Sequence, residues 1–131
     1  MKLLLDTNVA FWAVSDHSKL SDRNRSIITD PANDVYVSVV TIWEIAIKHP
    51  LQRGSMNDMP ITGREARALF EDAGFTILPV TAEHAAAVDD LAPNHRDPFD
   101  RMLVAQATCE SMRLLSADKK LAAYGAMVLL V

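Results

Sequence analysis

Five short apolar runs, at 2–5, 35–39, 75–78, 114–115 and 127–131, alternate with segments that carry helix-start and helix-stop signals. The runs lack a regular apolar–polar alternation, so both faces of each strand need cover. Strands of that kind, separated by helices, pack as a mostly parallel sheet with helices on both faces. The expectation is an α/β fold built on a five-stranded sheet. No repeat, low-complexity tract or linker divides the sequence, which predicts one domain over residues 1–131.

The punctuation between the runs is specific. Asp6-Thr7-Asn8 ends the first run and leads into an apolar helix over 9–14. Ser18 or Ser21 caps a second helix that Asp30-Pro31 stops. Thr41 opens a helix over 42–48, stopped by Pro50. Gly54, Ser55, Asn57, Asp58 and Pro60 mark a loop over 50–61. Thr62-Gly63-Arg64-Glu65 fits a capping box, and Gly74 closes the helix it starts. Thr81 caps a helix through Leu91, and 92–96 form a loop. Pro98 is placed as the first residue of a long helix to about Met112, and a short helix over 119–124 ends at Gly125.

Composition narrows the setting. No stretch approaches the ~20 apolar residues of a membrane span. The opening apolar run meets Asp6 after three leucines, too early for a secretory signal. The one cysteine, Cys109, makes neither an internal disulfide nor a cysteine-based zinc site, and reads as a small core residue. A cytoplasmic protein that does not engage membranes is expected. The net charge of −4 gives no general attraction for nucleic acid. Setting four particular acids apart from the 17 leaves 13, equal to the 13 Lys and Arg, so the excess charge matches a site for divalent cations.

Those four are Asp6, Glu44, Asp100 and Asp118. Strand C-termini and the helix N-termini that follow them share one edge of an open parallel sheet, where ligands bind. Asp6 follows the first strand. Glu44 lies in the first turn of the helix after the second. Asp100 lies in the first turn of the long helix, and Asp118 follows the fourth strand. Each also has a plain structural reading: Asp6 and Asp118 as helix caps, Thr41-x-x-Glu44 as a capping box, Asp100 as an acid at a helix N-terminus beside the cap Asp97. As a set they would repel one another unless a cation sat among them. A Mg²⁺ or Mn²⁺ ion takes such oxygen ligands, and it can lower the pKa of a bound water and stabilise charge on a phosphate, the chemistry of phosphodiester hydrolysis. His17, His49, His84 and His95 show no paired metal-ligand spacing, so no zinc site is expected. Arg96 and Arg101 flank the acidic block, as phosphate contacts or as counter-charges. Phe11, Trp12 and Trp43 are candidates for the core or for a partner surface.

Four blocks together resemble a known family: Leu3-Leu4-Leu5-Asp6-Thr7-Asn8, Val37-Ser38 through Trp43-Glu44-Ile45-Ala46-Ile47-Lys48, His95-Arg96-Asp97-Pro98-Phe99-Asp100-Arg101 through Ala107, and Leu114-Leu115-Ser116-Ala117-Asp118. They are similar to PIN-domain ribonucleases, most of all to the VapC-type toxins of type II toxin–antitoxin pairs. The resemblance spans essentially the whole chain. It implies a Mg²⁺- or Mn²⁺-dependent endoribonuclease whose metal and catalytic residues are Asp6, Glu44, Asp100 and Asp118. Thr7, Asn8 and Ser38 fall on the family's supporting polar positions, and Asp97 is the alternative to Asp100. It further implies a homodimer, an RNA substrate, a cognate antitoxin that blocks the site, and contact with DNA only through that antitoxin.

The rival readings are two non-enzymatic modules and one phosphatase. A phospho-acceptor receiver module would need adjacent acids after the first strand and a Lys after the last, and this sequence has Asp6-Thr7-Asn8 and no such Lys. A dehalogenase-like phosphatase would need Asp at position 8, where Asn8 stands. A PIN-like domain kept only for protein binding would not need four intact acids.

Overall fold

The computed structural model describes residues 1–51, 54, 58–93 and 95–131. Five strands form one sheet: β1 (Lys2–Leu5), β2 (Asp34–Ser38), β3 (Thr76–Leu78), β4 (Arg113–Ser116) and β5 (Val128–Leu130). All pairings are parallel and the spatial order is β3-β2-β1-β4-β5. Around them pack six α-helices among the described residues: α1 (Thr7–Ser15), α2 (Asp22–Thr29), α3 (Val39–Lys48), α4 (Gly63–Asp72), α5 (Ala82–Ala87) and α6 (Pro98–Cys109). This is the α/β architecture that the alternating pattern predicts. The order is not the 2-1-3-4-5 of receiver-type folds, which removes that rival.

β1 is the centre of the sheet, flanked by β2 and β4, and Leu3, Leu4 and Leu5 are fully buried. Burying each leucine stabilises the fold by about 1.5–3 kcal/mol. Successive side chains point to opposite faces of the sheet. Leu5 and Leu115 therefore join Val9, Ala10, Ile28, Ile45 and Phe70 on one side. Leu4 and Leu114 join Val40, Leu103, Val104 and Leu121 on the other. Helices cover both faces, which is why the runs could not alternate.

The caps explain most boundaries. Ser21 rather than Ser18 caps α2, accepting from Asn24 N–H. Ser18 instead donates to Asp16 at a 3-10 turn, His17–Lys19. Thr62 and Glu65 form the expected capping box of α4. Gly74 follows that helix at φ +82°, a conformation that favours glycine. One boundary is corrected: the second strand stops at Ser38, whose hydroxyl accepts from Val40 N–H, and Val39 is already helical. Thr41 is therefore buried inside α3, and Glu44 lies in its second turn, not in a capping box. Pro50 does not end the segment sharply either, since a 3-10 turn runs over His49–Leu51. The long helix ends at Cys109, short of Met112. Cys109 is only half-buried there rather than in the core. The loop residues expected at Gln52, Arg53, Ser55, Asn57 and Asn94 lie outside the described residues.

Candidate active site

The strand order reverses at β1: β2 and β3 build outward on one side, β4 and β5 on the other. Loops leaving β1 and β4 therefore diverge and open a crevice at their C-terminal ends, the usual ligand position in such sheets. Asp6 leaves β1 and Asp118 follows β4. They line a cavity of about 220 Å³ with Thr7, Asn8, Glu44, Lys48, His95, Asp97 and Asp100. All four acids singled out in the sequence thus meet in one place, contributed by four separate elements.

Their surroundings differ. Asp6 is buried; it caps α1 by accepting from Val9 N–H and also accepts from Ser116 Oγ. Burial pushes its carboxyl up from 3.8 to about 7, against the two hydrogen bonds, with the charges of Asp100 and Glu44 adding to the rise. Asp100 is also raised, again first by desolvation, with a hydrogen bond from His95 opposing and Asp97 and Glu44 adding. Dehydration, more than mutual repulsion, therefore sets the state of the two raised acids.

Glu44 is buried and fully engaged. Thr7 Oγ1 donates to one oxygen and Lys48 Nζ pairs with the other, one helical turn along α3. Asp118 caps a 3-10 helix, Lys119–Tyr124, by accepting from Lys120 N–H at 2.9 Å. Its other oxygen lies 3.7 Å from His95 Nε2, and the same Nε2 lies 2.8 Å from Asp100 Oδ2. Asp97 Oδ1 accepts from Phe99 and Asp100 N–H at 2.9 and 3.3 Å, so it works as the cap of α6 while lining the cavity.

Three residues of the site were passed over in the sequence. Lys48 sits one helical turn from Glu44, a spacing the expected helix already contained, and pairs with it. Ser116 takes a double role, donating to Asp6 and accepting from Asp118 N–H at 3.0 Å. His95 is the third, and sequence spacing hides it because its partners stand on different elements. Ser38, in contrast, caps α3 rather than supporting an acid. Arg101 is engaged by the chain itself: it donates to Ala92 O, Val88 O and Tyr124 Oη, at 2.9, 3.2 and 3.1 Å. It fastens the loop before α6 to the segment after Asp118.

Hard carboxylate oxygens, partly dehydrated and crowded at a switch point, suit a divalent cation. His95, Asp100 and Asp118 present ligand atoms within 4.8 Å of one another. The donor set fits a metal, and the cavity opens to solvent for a substrate.

The fold and site together are those of a small parallel α/β domain with an acidic cavity at its switch point. Residues 3–127 match the PIN domain family, and the chain belongs to it. PIN domains are generally nucleases. Solved structures agree on the fold. A chain in the crystal structure of VapBC2 from Rickettsia felis, bound to a DNA fragment from their promoter, matches with TM-score 0.69 and 14% identity over 100% of this chain and 98% of that one. A chain of FitAcB from Neisseria gonorrhoeae matches with TM-score 0.61 and 21% identity, covering 97% and 96%. One of VapBC-5 from Mycobacterium tuberculosis, a member of the VapBC family of toxin–antitoxin systems, matches with TM-score 0.59 and 21% identity, covering 99% and 97%. No curated protein matches the sequence significantly. Among the described residues no helix is long and apolar enough to cross a membrane.

Proposed function

We propose that residues 1–131 act as one PIN domain, a divalent-metal-dependent endoribonuclease serving in the cytoplasm as the toxin of a toxin–antitoxin pair that blocks translation. The observation that carries this reading is the convergence of Asp6, Glu44, Asp100 and Asp118 on one cavity at the switch point of the sheet. Asp6, Asp100 and Asp118 present carboxylate oxygens for Mg²⁺ or Mn²⁺, with Glu44 held beside them by Thr7. When bound, the cation would lower the pKa of water and offset charge on the scissile phosphate. Lys48, paired with Glu44, brings a positive charge to the cavity that would meet a phosphate oxygen of a bound substrate. Asn8 lines both this cavity and an adjoining groove of about 430 Å³ that also contains Phe11, Trp12 and Lys19. Aromatic faces beside a lysine suit a stacked base and its backbone, which supports RNA as the substrate.

The partners proposed are a cognate antitoxin and a second copy of the chain. The structural neighbours come from assemblies described as toxin–antitoxin systems or complexes, some with DNA. DNA contact is proposed only through the antitoxin. For the homodimer, the supporting feature is a stripe on α3 and its extension, Val39, Trp43, Ile47 and Leu51, spaced four residues apart and all exposed.

The test is cleavage of a structured RNA by purified protein in excess EDTA, then with Mg²⁺ or Mn²⁺ restored, beside Asp100→Asn. Activity should vanish on chelation, return with the metal, and fall at least ~100-fold in the variant, since even an outer partner of a metal ligand is worth about 10–100-fold. Products should carry 5′-phosphate and 3′-hydroxyl ends. Full activity in EDTA, or 2′,3′-cyclic phosphate ends, would sink the mechanism.

A further inference from the structure

We propose that His95 is itself a metal ligand, so that the site is a mixed nitrogen–oxygen centre that favours Mn²⁺ over Mg²⁺. The inference rests on the metal-dependent reading above and deepens it. His95 Nε2 lies inside the cavity, between carboxylates from two elements: 2.8 Å from Asp100 Oδ2 on α6 and 3.7 Å from Asp118 Oδ2 after β4. Two ligand atoms at right angles about an ion with bonds of ~2.1 Å lie about 3.0 Å apart, and opposite ones about 4.2 Å. The 3.7 Å separation falls between those values, and the 2.8 Å one lies just under the first. A histidine that only oriented Asp100 would need no second acid at that distance.

The loop carrying His95 is also built to hold it. Arg101 spans from α6 to the backbone at Val88 and Ala92, and to Tyr124 Oη beyond Asp118. One guanidinium thus ties together the chain leading to His95, the helix bearing Asp100 and the turn bearing Asp118. The His95 side chain is only 14% exposed, less than either acid it faces, at 20% and 38%. With no ion, Nε2–H donates to Asp100. On coordination the ring's one proton would sit on Nδ1, exchanged through solvent, and Nε2 would offer its lone pair to the metal. Imidazole nitrogen is a softer donor than carboxylate and suits transition metals, whereas Mg²⁺ prefers oxygen throughout. An all-carboxylate site has no such bias.

The experiment is pulsed electron paramagnetic resonance on Mn²⁺ bound to the full chain, with calorimetric titration of Mn²⁺ and Mg²⁺ against wild type and His95→Gln. The wild-type Mn²⁺ spectrum should show ¹⁴N coupling from one imidazole, absent in His95→Gln. The variant's Mn²⁺ affinity should fall about tenfold or more, with Mg²⁺ affinity much less affected. Bound Mn²⁺ without ¹⁴N coupling in the wild type overturns the inference with no variant needed. So does an unchanged Mn²⁺-to-Mg²⁺ affinity ratio in a folded His95→Gln. If the wild type cleaves RNA only with metal yet shows no coupling, this inference alone fails. If it binds no Mn²⁺ at all, the metal-dependent reading falls with it.

Discussion

Replacing Asp6 by Asn should stabilise the metal-free protein at alkaline pH and destabilise it in acid. Asp6 carries a pKa of about 7 in the fold against an ordinary 3.8, chiefly because it is buried. The folded state therefore holds this proton more tightly than the unfolded chain does. Below 3.8 both states are protonated and Asp6 contributes nothing. As pH rises the unfolded chain ionises first, stability is lost progressively, and the full penalty is reached above about 7. At about 1.4 kcal/mol per pH unit across that window, the penalty is about 4 kcal/mol at pH 8, about 1.5 at pH 5 and about 1 at pH 4.5, falling further below it.

The amide removes that penalty at a small cost. Asn caps a helix about as well as Asp, so the bond from Val9 N–H survives. The bond from Ser116 Oγ must reorganise, because one carboxylate oxygen becomes a donor and Ser116 already accepts from Asp118 N–H. Loss of such a bond costs about 1–2 kcal/mol. The net is a gain of about 2–3 kcal/mol at pH 8, a crossing near pH 5, and a loss below it. For a chain of this size each kcal/mol moves Tm by about 3–4 °C. Thermal melts followed by circular dichroism in EDTA should show Asp6→Asn about 8 °C above wild type at pH 8 and a few degrees below it at pH 4.5. The same offset at both pH values would refute the reasoning, because only a proton held differently in the two states gives an offset that changes sign.

Two further outcomes are expected. A Cβ at Gly63 would lie 2.9 Å from Ala46 Cβ, where α4 starts against α3. Gly63→Ala should therefore lower stability by about 1–3 kcal/mol, and a denaturant midpoint equal to wild type would show that the two helices separate freely. Trp43→Glu puts a charge in the middle of the exposed α3 stripe and should convert a two-chain particle to one chain by light scattering at micromolar concentration. A dimer of unchanged stability would move the interface elsewhere.

The sheet was legible in the sequence because doubly covered strands leave an unmistakable mark, apolar runs bounded by caps. The four acids were legible because β1 and β4 deliver Asp6 and Asp118 to the same edge whatever the details. The partners of those acids were not. Thr41-x-x-Glu44 imitates a capping box, and only the hydroxyl of Ser38, bonded to Val40 N–H, shows that the helix begins earlier. That shift of three residues places Glu44 in the second turn, facing Thr7, with Lys48 one turn further on. Arg101 read as a phosphate contact or a counter-charge because its carbonyl partners, Val88 and Ala92, carry no side-chain signal at all.

These partners also change how the acidic cluster is understood. Four carboxylates on one edge suggest a fold strained until a cation arrives. Instead, each acid has a donor supplied by the chain: Ser116 for Asp6, Thr7 and Lys48 for Glu44, His95 for Asp100, and the Lys120 amide for Asp118. The remaining penalty is concentrated on Asp6, the most buried of the three acids proposed to present oxygens to a metal, and its first cause is lost water rather than neighbouring charge. A site arranged this way can fold before any ion binds, yet it keeps one carboxylate whose ionisation is held back near neutral pH. A cation that compensates for the missing water at Asp6 would then release its proton and stabilise the fold together, so metal affinity should rise with pH across the same window in which the free protein loses stability.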